Sequence, residues 1–104
     1  MFKEAQKTVD DWAQTLEKPY WEPLSQLARV TEEVGEVARI LNHLYGEKIK
    51  KESENEQQLG EEIADVMFAL ICIANRCNID LDKAFEEVMK KSYGRDKDRF
   101  AKKK

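Results

Sequence analysis

Six acids stand out by type and spacing. Glu32, Glu33 and Glu36 lie within "LARVTEEVGEVARILNHLYGEK", and Glu61, Glu62 and Asp65 lie within "LGEEIADVMFALICIANRC". Glu33 and Glu36 are three residues apart, as are Glu62 and Asp65. On helices each pair sets two carboxylates on one face, with Cβ atoms about 5–6 Å apart. If the two helices are antiparallel neighbours, the four carboxylates can meet, and they repel unless shared protons or a cation relieve them. A divalent ion is the direct remedy, and all-oxygen ligands favour Mg2+ or Mn2+ over zinc or copper. An isolated E-x-x-E usually marks a solvated helix face. Here one pair runs on into Val37, Ile40 and Leu44, the other into Ala69 and Ile73, and Glu32 and Glu61 double them. That register points to a shared cation site. A di-iron carboxylate bundle wants E-x-x-H on two helices, and the only histidine, His43, does not follow an acid by three.

Acids can meet only if the chain holds them on packed helices, and the spacing predicts four. Phe2, Ala5, Val9, Trp12, Ala13 and Leu16 predict a helix over about 2–17. "KPYWEP" breaks it, because a proline disfavours helical geometry in the residue before it. The motif helices are expected over about 24–45, with Gly46 as a stop, and about 59–77. Residues 47–58 are polar and allow either a loop or a helical extension. Asp80 fits the N-cap of a last helix over about 81–93, with an apolar face of Leu81, Ala84, Phe85, Val88 and Met89. Residues 96–104 form a basic tail. No strand pattern, repeat or linker competes, so one all-α domain spans 1–104.

The third helix is apolar on nearly every side, through Ile63, Met67 and Leu70 on one flank and Val66, Phe68, Ala69, Ile71, Cys72 and Ile73 on the others. Such a helix is normally buried. Four helices of this length cannot cover it alone, which predicts a four-helix bundle completed by homo-oligomerisation, as a homodimer or a dimer of dimers. Charged residues are 38 % of the chain against 41 % hydrophobic, but the apolar ones are periodic, which argues against disorder. A net charge of −3 with mixed signs argues against a nucleic-acid partner. The longest apolar run, Val66 to Ala74, is too short for a bilayer, which takes about 20 residues. Cys72 and Cys77 are poorly placed to bridge, and read as buried thiols of a cytoplasmic protein.

With these motifs the chain resembles the MazG-like family of all-α nucleoside triphosphate pyrophosphohydrolases. The family's pattern is E-E-x-x-E, a gap, then E-x-x-D; here it reads "EEVGE" at Glu32–Glu36 and "EIAD" at Glu62–Asp65. The resemblance runs from about Leu24 to Arg95 and is to the small, single-domain members. It implies hydrolysis of (d)NTPs, including non-standard ones, to (d)NMP and pyrophosphate, cleansing the nucleotide pool with Mg2+ (or Mn2+) as cofactor. It implies Glu33, Glu36, Glu62 and Asp65 as metal ligands and catalytic residues. Glu32, and less directly Glu61, would ligate a second ion or orient water. Lys91 and Arg95 would hold phosphates, with Lys90 as an alternative; Ser92 or Tyr93 stands near where the family carries an asparagine. Trp12, Tyr20 and Trp21 offer rings for base stacking, with Trp21 the better candidate, whereas Trp12 and His43 read as structural. Asn75 either reads a base edge or bonds across the bundle. The rival from another class is a non-catalytic helical interaction module whose acids bind structural cations.

Overall fold

The computed structural model describes residues 1–47 and 55–103. Among them are four helices, α1 (Phe2–Ala13), α2 (Pro23–Tyr45), α3 (Glu56–Arg76) and α4 (Leu81–Tyr93), and no strand. None is long and apolar enough to cross a membrane.

Local chemistry sets the ends. α1 stops at Ala13, short of the expected 17, because Thr15 turns back on it: its amide and hydroxyl both donate to the Trp12 carbonyl, at 3.0 and 2.6 Å. α2 opens on Pro23, which has no N–H to waste at that position. It closes at Gly46 as expected, but in extended rather than left-handed backbone, where an added Cβ would lie 2.5 Å from the Asn42 carbonyl. α3 begins three residues before the expected 59, because Asn55 caps it by accepting from the Gln58 amide at 2.9 Å. Residues 48–54 of the expected connection lie outside the described residues. α3 ends in a left-handed Asn78 (φ 57°), with Ile79 N–H on the Ala74 carbonyl and Asn78 N–H on the Asn75 carbonyl. Asp80 caps α4 by accepting from the Asp82 and Lys83 amides.

The principal packing is α2 against α3. Tyr45 near the end of α2 donates to Glu56 at the start of α3, while Arg29 early in α2 lies over Phe68 late in α3, so the pair is antiparallel. α1 lies across α3: Val9 joins Ile71 and Cys72 in the core, and Trp12 meets Phe68 edge-on with centroids 5.3 Å apart. α4 rests on α1 through the Phe2–Phe85 pair and through Asp82, which accepts from the Phe2 amide at 2.7 Å and the Lys3 amide at 3.2 Å.

As expected, one chain does not cover α3, which is buried only through Ala69, Ile71, Cys72 and Ala74, while Ile63, Met67 and Leu70 stay about half exposed. One expectation changes. Cys77, expected inside, is exposed at the helix end; both thiols are free.

Asp82 ties α4 to α1 by capping the start of α1 from another helix. Its carboxyl is held below the usual carboxylate range, first by the Phe2 N–H, which outweighs the opposing effect of burial, and then by the α-ammonium and the Lys3 N–H. A folded pKa below the unfolded one stabilises above the unfolded value, about 4, and that stabilisation is lost as pH falls through the folded pKa. Asp82→Ala is therefore expected to lower the melting temperature by about 5 °C at neutral pH. In melts taken as a pH series, its difference from the parent should shrink below about pH 4. A difference independent of pH would assign the effect to packing.

Candidate metal centre

The antiparallel pair brings Glu33 of α2 against Glu62 and Asp65 of α3. One carboxylate oxygen from each lies within 4.8 Å of the others. Glu33 and Glu62 are half-buried and Asp65 is exposed, so the cluster forms a mouth rather than a sealed cavity. The Glu62 carboxyl is pushed above its usual value, first by burial, then by Asp65, Glu36 and Glu33, with Arg39 opposing. Three anions in reach of one point, from two rigid helices, suit a hard divalent cation. Mg2+ is held by a few carboxylates while keeping positions for water or phosphate oxygens, and a half-open, all-oxygen donor set fits that habit.

Glu36 stands beside this cluster but outside the group of three. Arg39 donates to its Oε2 from Nε at 3.1 Å and Nη2 at 3.0 Å. Glu36 still acts on Glu62 electrostatically, so the acids share one field. Glu32 and Glu61 are exposed. Glu61 lines a shallow depression with Asn55, Gln57 and Gln58.

One helical turn before Glu33 on α2, and one after Asp65 on α3, the seam opens into a cleft of about 120 Å3. Trp12, Tyr20, Trp21, Gln26, Arg29 and Cys72 are among its walls. Trp21 is half exposed, and the Arg29 guanidinium stands 5.8 Å from its ring and 5.4 Å from that of Phe68. Arg29 Nε is also 3.9 Å from a Glu33 oxygen, so one cation joins the aromatic cleft to the acid mouth. Trp12 packs on Phe68 as expected, yet keeps about half its surface exposed in the cleft. Burial pushes the Cys72 thiol up, which keeps it protonated and inert at neutral pH.

Asn75 takes the second of its two expected roles. Its Oδ1 accepts from Gln6 Nε2 at 2.9 Å, and its Nδ2 donates to the Gln6 carbonyl at 3.0 Å and the Tyr20 hydroxyl at 3.1 Å. Tyr20 in turn donates to Asp10 at 2.5 Å, and burial followed by that bond pushes its pKa up to about 12. This network pins the segment that carries Trp21 onto α1 and α3. His43 is buried on α2. Lys91 and Arg95 line a separate depression on α4 with Glu87, Val88 and Lys90, and none of the acids of the mouth lines it.

A model of the MazG nucleotide pyrophosphohydrolase domain matches residues 22–100, which include both acid motifs. The chain belongs to the MazG nucleotide pyrophosphohydrolase family, and it is a hydrolase. The Bacillus subtilis (strain 168) protein YpjD, itself uncharacterised, is 46 % identical over 101 residues, which are 97 % of this chain and 91 % of YpjD. The crystal structure of Bacillus subtilis YPJD, described as a candidate pyrophosphatase, superposes with a TM-score of 0.82 at 45 % identity, covering 88 % of this chain and 93 % of that one. The crystal structure of a Bacillus-conserved MazG protein, a nucleotide pyrophosphohydrolase, gives 0.80 at 44 % identity, covering 94 % and 95 %.

In this MazG domain the spacing had more to give than the acids. Gln26, Arg29 and Glu33 fall at i, i+3 and i+7, on one face of α2. Extending the acid face backward by two turns would have marked Gln26 and Arg29 as neighbours of the site. Tyr20 drew notice only as an aromatic ring; its hydrogen-bonding role had no such signal, because it lies in the broken segment and depends on Asp10 and Asn75.

Proposed function

We propose that the protein hydrolyses nucleoside triphosphates, ribo or deoxy and including non-standard ones, to the monophosphate and pyrophosphate, with Mg2+ as cofactor and Mn2+ as a substitute. The observation that carries this is the convergence of Glu33, Glu62 and Asp65 at the end of an aromatic cleft. Acids alone repel a triphosphate. A bound divalent ion supplies the neutralising charge, polarises phosphoryl oxygen and acidifies water. Glu33, Glu62 and Asp65 hold that ion, and Glu36 adds a carboxylate on leaving Arg39. Glu32, exposed beside Glu33 in the chain, is given the role of ligating a second ion or orienting water. Trp21 offers its ring to the base, and Asn75 keeps that wall in place through Tyr20. Lys91 and Arg95 remain the cations for leaving phosphates; since none of the six motif acids lines their depression, they serve a site that a second copy completes.

The apolar surface supports that assembly. Leu27, Val34 and Leu41 recur along α2, and Ile63, Met67 and Leu70 along α3, all 43–54 % exposed. Each stripe is roughly 100° around its helix from residues facing the seam. In an antiparallel pair both rotations bring the stripes to the same side, away from the acids. A continuous apolar face of this kind is covered in a stable protein, here by a second copy, giving a homodimer or a dimer of dimers. Reduced, unbridged thiols agree with a cytoplasmic setting.

The test is incubation with a panel of NTPs and dNTPs, canonical bases and damaged ones, with and without Mg2+. Equal amounts of pyrophosphate and monophosphate, dependent on the metal, are expected. Release of inorganic phosphate with a diphosphate would mean that the β–γ anhydride bond is broken instead of the α–β bond. No turnover with any nucleotide or metal would reduce the acids to a structural cation site.

A further inference from the structure

We infer that Gln26 is the residue that reads the base edge, and that the substrates are nucleotides whose base presents an N–H donor to it. The inference rests on the nucleotide reading above and adds its specificity determinant. Gln26 is only 5 % exposed, and its Oε1 is buried with no hydrogen-bond partner in the protein. A buried acceptor without a partner is costly, and most such groups in folded proteins are paired. The other unpartnered buried oxygen among the described residues, on Gln58, lies at the start of α3 and lines no aromatic cleft. Gln26 does, in a cleft whose walls also include Trp12, Trp21 and Arg29.

The geometry along α2 gives the amide a matching ligand. Gln26 and Glu33 share a helix face and are separated by about 10 Å of rise. That spacing suits a nucleotide laid along the seam, with its phosphates at the acids and its base at Gln26. The tryptophan rings can stack a base of any identity, so they bind without choosing. A carboxamide can choose: its oxygen accepts and its nitrogen donates, side by side, as glutamine does when it pairs with the edge of adenine. The oxygen left unpartnered in the protein is satisfied by a ring or exocyclic N–H.

Gln26→Leu tests this, because it keeps the volume and removes both polar groups. Its metal-free melting temperature is expected to equal or exceed the parent's, since a buried unpaired acceptor is gone. For the best substrate of the panel, kcat/KM is compared with that of the same nucleotide N-methylated to remove the edge N–H. The parent should prefer the unmethylated form by at least about tenfold, and Gln26→Leu by less than about twofold. Quenching of Trp12 and Trp21 fluorescence by the matching nucleoside monophosphates gives a second readout that needs no turnover. Base-dependent affinity in the parent and base-independent affinity in Gln26→Leu are expected. A parent that binds with base preference but turns nothing over would sink the catalytic reading and leave this one standing. The same base ranking in parent and variant, or no quenching in either, overturns the role given to Gln26.

Discussion

Asp65→Asn and Glu62→Gln are each expected to lower turnover at least about a hundredfold, the scale of losing a contact made to the reacting charge. The same substitutions are expected to leave the metal-free protein as stable as the parent, or more so. The reason is in the electrostatics of the mouth. Burial and the neighbouring charges of Asp65, Glu36 and Glu33 all push Glu62 toward its neutral form, and only Arg39 pulls the other way. Without an ion the acids crowd one another, so removing one charge relieves the fold while taking a ligand from the cation. Thermal melts with and without Mg2+ separate the two effects: the ion should raise the melting temperature of the parent more than that of either variant. Glu36→Gln is expected to follow the same pattern once Arg39 lets its carboxylate go. Glu36→Gln with full activity, beside an inactive Asp65→Asn, would confine the ion to the three acids that already converge. Glu17→Gln, an exposed acid after α1, is the control and should change neither readout. Full activity and undiminished Mg2+ stabilisation in Asp65→Asn would make the acids only a charged face.

The elements behind this result were legible because their signals are local. Pro23 at the start of α2, Asp80 before α4 and the apolar period of α2 and α3 act within a few residues of where they sit in the chain. The Asn55 cap was equally local, and it was missed because the polar run around it carries no apolar stripe. The acids were readable by their types and spacing. Their convergence also needed the antiparallel register of α2 and α3, which rests on contacts such as Tyr45 with Glu56 across a connection of no fixed pattern. The cleft was the least legible part. Its walls come from α1, the broken segment, α2 and α3, and they are tied together by Tyr20, Asp10, Asn75 and Gln6 over as many as 69 positions of sequence. Periodicity reports which face of a helix is apolar, and it cannot report which distant hydroxyl that face will meet.

Leu70→Glu is expected to convert the protein to monomers at micromolar concentration. Leu70 is 48 % exposed in one chain, at the middle of the face formed with Met67 and Ile63 on α3 and with Leu27, Val34 and Leu41 on α2. A standard interface removes about 800 Å2 per partner from water, and apolar area contributes roughly 25 cal/mol per Å2 before the costs of association. A carboxylate set into the centre of such a face must either lose its hydration or keep the second copy away. The dissociation constant should rise at least about a hundredfold, close to 3 kcal/mol. Light scattering would read this as a mass falling from two or four chains to one, and the melting temperature should fall and become independent of protein concentration. Leu70→Met, similar in volume and still apolar, should keep the parent's mass. If the parent is itself a monomer, or if Leu70→Glu keeps the parent's mass, the second copy does not sit on this face. The half-exposed flank of α3 would then be covered by another partner or left open to solvent.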